Sequence, residues 1–138
     1  MVSIPSPGAR SDTGPRPVQI AERVVAALSD HVYRAARERA LQDAIETVLR
    51  GRGFRVEREF RLNDRDRPDF LVDRCVAVEV KMRASGSAVL SQLARYAAHD
   101  RVRAIVVATP RLSSLAGMPE EILGVAVRPV ALSGPGLL

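Results

Sequence analysis

The stretch from Arg67 to Met82, RPDFLVDRCVAVEVKM, decides how the rest of the chain is read. Phe70, Leu71 and Val72 precede Asp73 and Arg74, and Val76, Val78 and Val80 then alternate, so the spacing predicts two short strands joined by a turn. Side chains alternate faces along a strand, which puts Val76, Val78 and Val80 on one face and Ala77, Glu79 and Lys81 on the other. One face is expected to be core and the other to carry charge.

Turn length sets what Asp69 meets. A three-residue turn of Asp73, Arg74 and Cys75 places Asp69 opposite Glu79 on one face, roughly 5 Å away. A two-residue turn places the two carboxylates on opposite faces unless a bulge intervenes. Two adjacent carboxylates repel, and each has a raised pKa unless something positive sits between them. A divalent cation does that, and hard oxygen ligands with open positions suit Mg²⁺ or Mn²⁺. The competing reading of these residues is a hairpin with a solvated charged face. Lys81 weighs against it: of the 21 Lys and Arg residues, only position 81 is Lys. Arg stays protonated and forks, whereas Lys is a compact charge whose pKa shifts readily, so placing or activating a water calls for Lys.

Asp69, then nine residues, then Glu79-Val80-Lys81, with Pro68 before the Asp, resembles the PD-(D/E)XK nuclease superfamily. The resemblance implies an α/β fold with a restriction-endonuclease-like αβββαβ core, a central mixed sheet flanked by helices. It also implies a metal-dependent DNA nuclease, of the phage and recombination-nuclease or Holliday-junction-resolvase-like branch. Asp69, Glu79 and the backbone carbonyl of Val80 would then hold Mg²⁺ or Mn²⁺, and Lys81 would orient the attacking water or offset charge in the transition state. Glu38-Arg39-Ala40-Leu41-Gln42 matches the Glu-x-x-Leu-Gln with which similar family members open their first helix. That match makes Glu38 a direct or water-mediated metal contact, with Glu46 as rival. Gln92-x-x-x-Tyr96, eleven residues past Lys81, resembles an element that lines the site in bacterial recombination nucleases and their phage relatives. Arg83 and Arg95 join Gln92 and Tyr96 as expected substrate contacts, and Arg101 and Arg103 add positive charge nearby.

A chain of 138 residues fits one domain able to bury a core without staples. Its net charge of +5 and pI near 10.6 suit a polyanionic partner such as DNA. One Cys excludes an intramolecular disulfide, and no Cys cluster exists to hold zinc or iron–sulfur. No apolar run is long enough to cross a membrane and no signal peptide opens the chain, so the expectation is a cytoplasmic protein with no membrane partner.

Residues 1–17 hold four prolines with Gly and Ser and read as a disordered tail, leaving 18–138 as a single nuclease-like domain with its core at about 34–109. A first helix over Val18–Leu28 carries Ile20, Val24, Ala27 and Leu28 on one stripe, as an addition to the core or a homodimer contact. Ser29 or Asp30 would cap a second helix from about His31 to Arg50, with Leu41, Ala44, Ile45, Val48 and Leu49 inward. The expected sequel is a strand over Phe54–Leu62, a turn at 63–67, the hairpin, a helix to about Ala98, a buried strand over Val102–Thr109, a helical turn at Glu120–Glu121 and a strand over Ile122–Val130. His31 and His99 are expected at the surface. The function the resemblance implies is structure- or end-directed hydrolysis of DNA phosphodiesters; the alternative is a non-catalytic nucleic-acid-binding module that keeps the fold.

Overall fold

In a computed structural model, residues 14–35, 37–83, 86–135 and 137 are described. Phe70–Val72 (β2) and Val76–Val80 (β3) pair antiparallel, with Phe70 opposite Val78, Leu71 opposite Ala77 and Val72 opposite Val76. Asp73, Arg74 and Cys75 are therefore a three-residue turn. Asp73 and Arg74 both take left-handed backbone, at φ 47° and 65°, a conformation Asp tolerates better than most residues. Asp73 is fixed there by two bonds to Arg55: its N–H donates to the Arg55 carbonyl, and its Oδ1 accepts from the Arg55 N–H.

The rest of the sheet grows on this hairpin. Val56–Arg58 (β1) adds antiparallel to β2, while Ala104–Thr109 (β4) adds parallel to β3. Val125–Ala131 (β6) runs parallel to β4, and Glu121–Ile122 (β5) closes the far edge, giving a six-stranded mixed sheet ordered β1-β2-β3-β4-β6-β5. Helices cover both faces. Pro17–Ser29 (α1) and Glu38–Gly51 (α2) pack Val24, Leu28, Leu41, Ile45 and Leu49 against Phe70, Val78 and Val106. Gly86–Ala97 (α3) packs Val89, Leu93 and Tyr96 against Ala77, Ile105 and Val107. From α2 to β4 the succession is helix, three strands, helix, strand, within an α/β architecture.

Several sequence expectations need correction. β3 has no solvated face: all five of its residues are buried, because helices stand on both sides. Helix α2 begins at Glu38 rather than His31, since Val32 bridges to Ser133 and the Tyr33 N–H donates to the Ser133 carbonyl at 2.8 Å. Tyr33 is fully buried and its hydroxyl donates to the Leu28 carbonyl, so an extended segment gains more here than a helical one. Strand β1 ends at Arg58 because Glu59 turns the backbone to φ 50°. The expected last strand is instead a hairpin, broken at Leu123 and Gly124 with φ 53° and 78°, the pair of left-handed residues that a two-residue hairpin requires. Glu121 opens a strand, and the short 3₁₀ turn lies earlier, at Leu112–Leu115.

Helix α1 starts at Pro17, which suits a first helical position because its missing N–H has no partner to lose. Its apolar stripe is spent inside the chain, against β4, β6 and α2, rather than on a second copy. Residues 1–13 of the expected tail, and Ala84–Ser85 of the turn into α3, lie outside the described residues.

Candidate functional site

The register that pairs Phe70 with Val78 continues to Asp69 opposite Glu79. The Asp69 N–H donates to Glu79 Oε1 at 3.2 Å, and Asp69 Oδ2 accepts the Val80 N–H at 2.7 Å. The same register sets residue 68 against Val80, where an antiparallel ladder would exchange both backbone bonds. Pro68 has no N–H to give the Val80 carbonyl, and the Val80 N–H goes to the Asp69 side chain instead. A strand end that would otherwise be a closed ladder thus presents a carboxylate and a carbonyl together.

Glu79 is 5% exposed and well supplied with donors. Lys81 Nζ lies 3.2 Å from its Oε2, and the Tyr96 hydroxyl lies 3.2 Å from its Oε1. Burial, then the Glu79 charge, pushes the Tyr96 phenol upward, so it stays a donor. Gln92 Nε2 donates to the Tyr96 oxygen at 2.9 Å, and Gln92 Oε1 is a buried acceptor with no partner among the described residues. Asp69 is the electrostatically costly member of the pair. Burial, then the charge of Glu79, raises its carboxyl to about 7, with Glu38 adding to the effect and the Val80 N–H and Lys81 opposing it.

Among the described residues, no group of three or more His, Cys, Asp and Glu stands ready to hold a metal ion. The fit of a divalent cation rests on two carboxylates and one carbonyl. These are hard oxygen donors, one raised to about 7 by burial and then by its neighbour's charge, and they would suit a divalent ion that also takes water and phosphate. Of the expected helix carboxylates, Glu38 is the first residue of α2 and its charge reaches Asp69. Glu46 lies two turns on and is engaged by Arg50 at 2.9 Å and Arg58 at 3.3 Å. Beside the pair, a cavity of about 480 Å³ is lined by Glu38, Arg39, Gln42, Arg58 and Glu59.

Lys81, Gln92 and Tyr96 thus gather at the carboxylates; two other expected residues do not. Arg83 is exposed and meets no described partner, while Arg95 Nε binds Asp66 Oδ1 at 3.0 Å. Asp66, 5% exposed, also accepts from His99 at 3.1 Å, so His99 is half-buried rather than at the surface. Burial raises the Asp66 carboxyl, but the hydrogen bonds from His99 and Arg95 outweigh it and hold it below its ordinary range. Asp66 does not stand out in the sequence because a run of Asn, Asp and Arg looks like a solvated turn. The available signal lies on α3 and just past its end: Gln92, Arg95, Tyr96 and His99 fall at i, i+3, i+4 and i+7, a polar stripe beside the core stripe.

A scan of family models and searches of curated proteins and of solved structures return no match to the chain.

Proposed function

We propose that the protein is a metal-dependent nuclease that hydrolyses DNA phosphodiester bonds, directed by the structure or ends of DNA rather than by base sequence. The observation that carries the reading is the Asp69–Glu79 pair, joined across one register step, with the chain's sole lysine 3.2 Å from Glu79. The helix, three-strand, helix, strand succession, with β2 antiparallel to both its neighbours, supports the restriction-endonuclease-like core that the motif implies. Net charge of +5 favours a polyanionic substrate.

Asp69, Glu79 and the Val80 carbonyl would hold Mg²⁺ or Mn²⁺, with Glu38 in its outer shell; a bound cation of this kind polarises a phosphoryl oxygen and lowers the pKa of a water. The chain's own groups do the positioning. Tyr96 and the Asp69 N–H fix the Glu79 carboxylate, and Lys81, tethered to the other Glu79 oxygen, presents its ammonium beside the site to orient water or offset negative charge on the phosphoryl oxygens. One feature favours the non-catalytic binding module: both carboxylates are already bonded within the chain.

A labelled panel of linear duplex, single strand, flap and four-way junction separates the two. Wild type should cut with Mg²⁺ or Mn²⁺, lose cutting in EDTA, and lose it with Lys81→Ala or Asp69→Asn, the preferred panel member naming the substrate form. Folded wild type that binds DNA and cuts nothing would sink the nuclease reading in favour of the binding module.

A further inference from the structure

Between β1 and β2 the chain runs from Glu59 to Asp69, and the Glu59 N–H donates to the Asp69 carbonyl at 2.8 Å where the two ends meet. Between those ends the loop is held by a set of directional bonds centred on Asp66. The Leu62 N–H donates to the Asp66 carbonyl at 2.9 Å, while Asn63 Oδ1 accepts the N–H groups of Arg65 and Asp66 at 2.8 and 2.7 Å. That arrangement closes the loop on itself and turns Asn63 Nδ2 toward Asp66 Oδ2, 3.4 Å away. The Asp66 carboxylate then clamps the loop to α3 and the turn that follows it, through Arg95 of the helix on one oxygen and His99 of the turn on the other. His99 Nε2 also lies 3.2 Å from Asn63 Nδ2, and because a carboxylate only accepts, the proton on that ring nitrogen belongs to the bond with Asp66.

One turn of helix spans both jobs. Tyr96, next to Arg95, reaches the Glu79 carboxylate at 3.2 Å and the Arg67 carbonyl at 3.3 Å. The same face of α3 therefore grips the loop that ends in Asp69 and the carboxylate that faces Asp69. A buried ion pair is a poor source of stability, since desolvation offsets its attraction, but it fixes register where an apolar plug would let the loop slide. Only Arg67 and Pro68 separate the buried charge from Asp69, and Pro68, itself buried, stiffens the link.

We infer that Asp66 is a positioning residue for the Asp69–Glu79 pair, acting through Arg95 and His99, and that Arg95 serves the site by this clamp rather than by touching DNA. The catalytic meaning of this rests on the nuclease reading; the geometric claim does not.

Amide hydrogen exchange reads the geometry directly, because the Asp69 N–H is bonded to Glu79 and the Val80 N–H to Asp69. In Asp66→Asn these two amides should exchange at least about tenfold faster, while Val106 and Val107 in β4 keep wild-type protection. Unchanged exchange at Asp69 and Val80 overturns the inference. Equal acceleration in β4 overturns it too, since Asp66 would then be a general stabiliser. Should Asp66→Asn not fold, Arg95→Gln removes one partner of the clamp and is read the same way. With cleaving protein, kcat should fall by about ten- to a hundredfold at constant KM for DNA. A raised KM at constant kcat would return Arg95 to substrate binding and overturn the assignment. Wild type that cuts nothing removes the nuclease reading alone, and the exchange result still decides the clamp.

Discussion

Asp69 is the residue at which the fold is least content with itself. Its carboxyl is raised to about 7 from an ordinary value of 3.8, so between those two pH values the folded chain binds more protons than the unfolded one. Stability contributed by this group is thus fully present below pH 3.8, falls as pH rises through about 7, and is absent above it. Urea midpoints measured without divalent metal should drop between pH 5 and pH 8 by more in wild type than in Asp69→Asn, and Mg²⁺ should recover the difference at pH 8. Equal slopes in the two proteins would remove Asp69 as the source. That Asp69 faces Glu79 was readable from residue counting once the turn was taken as three residues. That the pair is buried was not, because alternation along β3 cannot report a helix arriving on the second face. The Asp66 clamp was hidden for a similar reason: its partners lie 29 and 33 residues away.

At the scale of elements, apolar periodicity was a good guide and punctuation a poor one. The stripes Leu41, Ile45 and Leu49 on α2 and Val89, Leu93 and Tyr96 on α3 are buried as their spacing requires, and β4 reads as the doubly covered strand it is. Boundaries failed where a long-range bond outbids a local preference, as at Tyr33, which pairs with Ser133 a hundred residues on. They failed also at Gly124, the one sequence sign that the last strand was a hairpin. A side chain there would meet open space but would have to hold φ near 78°. Gly124→Ala should therefore lower the unfolding free energy by about 1–2 kcal/mol through backbone strain alone, measurable by urea titration. A neutral substitution would mean that the hairpin relaxes to another turn.

Across the whole molecule, the segment after α1 is fastened to the segment after β6. Gly134 lies so close to Tyr33 that a Cβ would stand 1.7 Å from the Tyr33 carbonyl oxygen, a backbone atom with no way to yield cheaply. Gly134→Ala should consequently cost more stability than Gly124→Ala and expose Tyr33, whose fluorescence and side-chain exchange report the parting. If the two substitutions cost the same, the contact with Tyr33 is not a fastening. No helix among the described residues is long and apolar enough to cross a membrane.

Helix α1 lays Val24, Ala27 and Leu28 in a core that also contains Val130 and Leu132. The apolar stripe of α1 therefore leaves a ribosome well before β6, one of the strands it packs against, is made. At ordinary synthesis speeds the hundred or so intervening residues take on the order of ten seconds. During that interval an amphipathic helix stands without one of its partners, and its native packing is completed late by chain order rather than by chemistry. A nascent chain arrested before β6 should accordingly be open to proteases within α1, whereas the released chain resists them.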